Sequence, residues 1–184
     1  AYVASGPGAG SIAFPNRTVG SSTITNVVDF ANLSPIVDTV TAAGFTFSAP
    51  SGAQSIEILA GPVVSGVQTT RIQSTTSAFE RIDFANKTNV SITTGSAADT
   101  ISADFSTPAA GLTSAAIATG GGDDAIVLLG SAATVKTTID AGAGSGNSID
   151  LSNASSLAGL QGDVYAKATG GATTLKLDDS ARAA

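Results

Sequence analysis

The chain contains no cysteine, histidine, methionine or tryptophan. Without cysteine there are no disulfides and no thiolate chemistry, and without cysteine or histidine the usual zinc ligands are missing. Acid–base catalysis loses its most common proton carrier. Charge is sparse as well: Asp, Glu, Lys and Arg make up 12% of residues, against about a quarter in an average soluble protein. The net charge is −6 and the eight basic residues are scattered singly. No basic patch exists to neutralise phosphates, so nucleic acid is not an expected partner. No apolar run reaches the roughly 18 residues of a membrane helix, so no transmembrane segment is expected. Seven Phe and two Tyr are the only aromatic residues, which predicts a thin core.

What is present is small and aliphatic. Ala, Val, Ile and Leu supply most of the 42% hydrophobic content, and Gly, Ser and Thr fill the remainder. Such a mixture suits many short strands joined by turns. A turn followed by an apolar-x-apolar strand recurs in six copies: FTFSAPSGAQSIEIL, RIQSTTSAFERIDF, VSITTGSAADTISAD, AAIATGGGDDAIVLL, TTIDAGAGSGNSIDL and YAKATGGATTLKL. The position before the second strand is Gln54, Glu80, Asp99, Asp124, Asn147 and Thr173, giving spacings of 26, 19, 25, 23 and 26 residues. These are the lengths of one coil of a solenoid. Alternation with period two sends Ile56 and Ile58, Ile101 and Ala103, or Ile126 and Leu128 to one face, and Glu57, Ser102 or Val127 to the other. One coil cannot bury its aliphatic row alone, so the copies must stack. The fold expected is all-β, a parallel β-helix (β-solenoid) of about six coils. A β-sandwich is the competing architecture, but it has no reason to repeat its turns.

Residues 1–40 do not fit the repeat. They are expected to form an N-terminal arm, either capping the first coil or pairing with a neighbouring subunit, with residues 41–184 as the β-solenoid domain. An open solenoid exposes sheet edges, and such edges invite pairing.

The Gly-Asp turns carry a resemblance. Thr119-Gly-Gly-Gly-Asp-Asp-Ala-Ile126, Thr94-Gly-Ser-Ala-Ala-Asp-Thr-Ile101 and Ala141-Gly-Ala-Gly-Ser-Gly-Asn-Ser-Ile149 resemble degenerate forms of the Gly-Gly-x-Gly-x-Asp repeat of RTX-type exported proteins. In that family, turn carbonyls and Asp carboxylates hold calcium between coils. The resemblance implies calcium as a cofactor, with Asp99, Asp123 and Asp124 as its ligands. The departures are a period longer than nine residues and the loss of the Asp in several copies. Turn-forming Gly, Asn and Asp also need no metal to finish a corner.

In coil period and turn chemistry the chain also resembles bacterial exported surface proteins of the S-layer and adhesin type. That resemblance implies a secreted or cell-surface location and a structural role without enzymatic activity. The expected subunit self-associates into a homopolymer or layer, or serves as an adhesin stalk, with a cell-surface glycan as the other partner. A β-helical polysaccharide-acting enzyme using the same carboxylates, or an ice-binding protein, are the alternatives. The first lacks a wall of aromatic and basic residues, and the second lacks a regular Thr array. Asn-x-Ser/Thr triplets at Asn16, Asn86, Asn89 and Asn153 would accept glycans in a glycosylating host.

Overall fold

Alternating Ile, Val, Phe and Thr make strands throughout a computed structural model of the chain, which describes residues 1–14, 17–24, 26–33 and 35–181. The N-terminal strands are β1 (Tyr2–Gly6), β2 (Ala9–Ala13), β3 (Arg17–Val19), β4 (Ser22–Ile24), β5 (Val27–Phe30) and β6 (Ile36–Asp38). Next come β7 (Ala42–Ser48), β8 (Ser55–Val64), β9 (Val67–Ser74), β10 (Ile82–Phe84), β11 (Lys87–Thr93) and β12 (Thr100–Phe105). The last are β13 (Ser114–Ala118), β14 (Ala125–Ser131), β15 (Lys136–Asp140), β16 (Asn147–Asp150), β17 (Val164–Lys167) and β18 (Thr173–Lys176). No helix occurs among the described residues. The strands form two mixed eight-stranded sheets, ordered β17-β15-β13-β11-β7-β1-β2-β5 and β18-β16-β14-β12-β8-β9-β10-β6, with β3-β4 as a separate ribbon. Neither large sheet is closed.

Successive strands along β7, β11, β13, β15 and β17 pair in parallel, as do those along β8, β12, β14, β16 and β18. Their register superimposes equivalent residues of the sequence copies. Phe47, Ile92, Ile117, Ile139 and Ala166 form one column. Ile56, Ile101, Ile126, Ile149 and Leu175 form a second, on the other sheet. Side chains of both sheets merge into one buried cluster. Each aliphatic group meets its counterpart at the inter-strand spacing of about 4.8 Å, which removes both from water.

The second copy breaks the expected series of six equivalent turns. Here the chain reverses twice: β8 pairs with β9, and β9 with β10, in opposite directions. Strand β8 is ten residues long and ends in a two-residue turn, Ser65-Gly66, with φ of 48° and 81°. Two successive positive φ values give the turn whose twist suits a hairpin. The chain therefore doubles back here, and β12, not β10, takes the parallel place beside β8.

The N-terminal segment joins the same two sheets. Strand β1 pairs in parallel with β7, and β2 and β5 extend from it antiparallel. Strand β6 pairs in parallel with β10. Aromatic rings fix this attachment, with Tyr2 stacked between Phe30 and Phe47 at centroid distances of 5.8 and 5.6 Å. Burial, aided by the nearby Glu80 charge, raises the Tyr2 phenol to about 12. Lys87, buried, adds an ion pair to Asp38 at 2.8 Å and a hydrogen bond to the Val40 carbonyl. At the opposite end the core is uncovered: Leu175 is 49% and Leu177 60% exposed.

This gradient predicts unequal mutational costs. Ile126→Ala, at a 1% exposed site, should lose about 2–5 kcal/mol in chemical denaturation. Leu175→Ala should lose less than half as much, because its side chain is already half in water.

Candidate functional site

The residues aligned before each second strand form a buried polar ladder. At this corner the chain leaves one sheet for the other, and a backbone amide turns inward where no strand can receive it. A side-chain oxygen from the next layer does so instead. The Gln54 amide donates to Asp99 Oδ1 at 2.7 Å, the Asp99 amide to Asp124 Oδ1 at 2.8 Å, and the Asp124 amide to Asn147 Oδ1 at 2.8 Å. Asp99, Asp124 and Asn147 are each 1% exposed. The ladder passes from Gln54 directly to Asp99 and skips Glu80, because the second copy is the antiparallel hairpin. It ends at Asn147, and the buried Thr173 hydroxyl has no partner.

The rungs are chemically unequal. Asn147 uses its whole amide, since Nδ2 also donates to the carbonyls of Ala141 and Gly144 at 2.6 and 3.2 Å. The two Asp rungs have no such donor, and Oδ2 of each is buried without a partner. Burial raises the Asp124 carboxyl above the ordinary carboxylate range. The Asp99 amide and the Thr119 hydroxyl oppose that shift, while the Asp99 and Asp123 charges add to it.

Asp123 lies apart from this ladder. It is exposed, and its Oδ1 accepts the Gly146 amide at 2.7 Å. Asp99, Asp123 and Asp124 are therefore not brought together as a ligand set. Among the described residues, no group of three or more acidic side chains converges in a way that could hold a metal ion. The turn carbonyls are also engaged, with Gly95 O, Gly120 O and Gly142 O each accepting an amide from the next layer at 2.9–3.2 Å. Close stacking of turn on turn accounts for the glycines. Gly142 sits at φ +69°, and a Cβ there would run into the Gly120 carbonyl. The three-carboxylate calcium site that the RTX resemblance implies does not fit this arrangement.

Acids that the sequence did not single out cap strand ends. Asp140 accepts the amides of Gly142 and Thr169 at 3.1 and 3.0 Å and pairs with Lys167 at 2.7 Å. Burial opposes ionisation of Asp140, but Lys167, the Thr169 hydroxyl and the Gly142 amide outweigh it and hold its carboxyl down at about 2. Arg71 grips Asp83 with two bonds of 2.7 and 3.0 Å. One hollow, about 280 Å³ in volume, is lined by Gln73, Glu80 and Arg81 among others. Of the Asn-x-Ser/Thr positions, Asn86 and Asn89 donate to the carbonyls of Thr39 and Ala43, Asn153 is exposed, and Asn16 lies outside the described residues. No helix is long and apolar enough to cross a membrane among the described residues.

Comparison with protein-family models, with curated proteins and with solved structures gives no match.

The ladder predicts opposite effects for two changes at one position. Asp124→Asn keeps the acceptor, removes a buried charge and adds a donor that can bond turn carbonyls as Asn147 does. It should raise stability at neutral pH by about 1 kcal/mol. Asp124→Ala leaves the Asp99 amide buried and unanswered and should cost about 1–3 kcal/mol. A carboxyl raised by folding contributes most below its unfolded value of about 3.9 and loses that contribution as pH rises through the folded value. The advantage of Asp124→Asn over the native chain should therefore shrink as pH falls, which urea denaturation across pH would measure.

Proposed function

We propose that this chain is a structural protein without enzymatic activity, a parallel β-solenoid that serves as a self-associating subunit of an extracellular layer or fibre, or as an adhesin stalk. The observation that carries this reading is the repeated in-register stacking of equivalent residues, which leaves a strand paired on one side only at both ends of both large sheets among the described residues. A stack whose layers are held only by their neighbours is built for extension. Its ends are templates for another chain.

The side-chain chemistry supports the same reading. The conspicuous carboxylates serve as hydrogen-bond acceptors and ion-pair partners. The outward residues of adjacent strands, such as Thr46, Ser91, Ala116 and Thr138, are small and mixed. That favours a scaffold over an ordered ice-binding lattice. A bacterial surface location and a glycan partner belong to this proposal through the resemblance to S-layer and adhesin proteins.

Sedimentation velocity over a range of concentrations tests the reading, and the mean mass should grow with concentration. A monomer at every concentration would sink it. Running the series in millimolar calcium and in chelator tests the calcium-binding alternative. The ladder geometry predicts the same melting temperature in both, whereas a calcium-held turn would melt higher with the ion.

A further inference from the structure

We propose that the chain stacks end to end with a second copy of itself, the β17/β18 edge of one copy pairing in parallel with the β5/β6 edge of the next. This rests on the self-assembling reading above and specifies its interface. Strand polarity is the first argument. Strand β1 is parallel to β7, β2 is antiparallel to β1, and β5 is antiparallel to β2. Two reversals restore direction, so β5 runs the same way as β7 and, through the parallel series, as β17. On the other sheet, β9 reverses β8, β10 reverses β9, and β6 is parallel to β10. Thus β6 runs the same way as β8 and β18. Both sheets, independently, end in strands of matching direction. Translating a copy along the stack therefore continues both parallel ladders at once, with no inversion.

The apolar columns are unfinished at the same two edges. Val28 lies on the face of Phe47 through the pairs Val28–Ile12, Ile12–Tyr2 and Tyr2–Phe47. Although that face is inward, Val28 is 51% exposed. Ile36 shares a face with Ile58 through Ile82 and Ile72. At the far end, Leu175 and Leu177 are also half or more exposed. A hollow of about 180 Å³ opens there between Ile149, Ala166 and Leu175. Stacking the two ends would bury these rows as each internal layer buries its own.

Among the described residues, those after β18 leave the edge open: the Ala181 amide donates to Ser155 O at 2.9 Å and Asp179 Oδ1 accepts the Leu157 amide at 3.0 Å. They run beside the connection after β16, not along β17 or β18. A head-to-tail contact of this kind uses two different surfaces and does not close, so it propagates as a filament.

The absence of native cysteine makes cross-linking a clean test. Val27→Cys marks the outer side of β5 and Tyr165→Cys that of β17, and both native side chains are half exposed. With a short bis-maleimide, each variant alone should remain uncross-linked, and an equal mixture should give covalent dimers. Adding Leu175→Lys to the Tyr165→Cys variant should reduce that dimer at least tenfold, with circular dichroism showing an intact β-fold. Cross-linking of either variant with itself would overturn the proposal in favour of a two-fold contact. Mass growth in sedimentation with no mixed dimer would overturn this interface and leave self-assembly standing. A strictly monomeric chain, as when further strands of a longer polypeptide occupy the edge, would remove both.

Discussion

A backbone amide turned inward at the corner between the two sheets must be answered, because an unpaired buried N–H costs about as much as a lost hydrogen bond. The oxygen that answers it belongs to the equivalent residue one layer further on. Gln54, Asp99, Asp124 and Asn147 thereby set layer spacing and register together. A strand slipped by one residue would lose the amide bond and send its aliphatic row to the wrong face. With the corner fixed, Ile101 can only fall between Ile56 and Ile126. The glycine turns follow from the same constraint, since layers held this close leave no room for a Cβ where turn lies on turn.

The sequence made much of this arrangement legible and concealed the rest for definable reasons. Period-two alternation located the strands, and the recurrence before each second strand marked the ladder positions, including Gln54 and Asn147. Alternation does not encode direction, however, because a strand shows one apolar face whether its neighbour is parallel or antiparallel. The second copy therefore looked like a further coil, and only the Ser65-Gly66 pair between Val64 and Val67 signalled a hairpin. The chemistry of Asp99 and Asp124 was ambiguous in the same way. An Asp after a Gly-rich turn suits a cation or a buried amide equally, and in the fold Asp99 and Asp124 each accept a backbone amide from the neighbouring layer. Lys87 gave no signal, since its burial follows from Asp38 and Val40 folding against it from 47–49 residues away.

Side-chain size falls along one of the two columns. The column that begins with Tyr2 and Phe47 continues through isoleucines and ends at Ala166. Aromatic rings are concentrated where the N-terminal strands and the β8–β10 ribbon converge, and there Phe47 also meets Phe79 and Phe45 meets Phe84. The attached segment is held by the pairing of β1 with β7 and of β6 with β10, by ring stacking and by Lys87. The opposite layer has a neighbour on one side only, keeps half its aliphatic surface in water and lacks a ladder bond at Thr173. Opening of the fold should therefore begin at β17 and β18, the least supported cooperative unit.

Edge strands in monomeric proteins are commonly protected by lysine, proline or a bulge. Strands β17 and β18 contain no proline, but each carries an outward lysine. Those lysines do not act as isolated charges. Lys167 bonds Asp140 and Lys176 bonds Asp150, both on the preceding layer. Each pair lowers the net charge that would otherwise repel an approaching strand, and exposed pairs of this kind contribute little to stability. The acids also hold the lysines back over the previous layer, so the edge amides and carbonyls of the last layer remain uncovered. A device that would normally block edge pairing is thus largely neutralised at the end where the aliphatic core is most open.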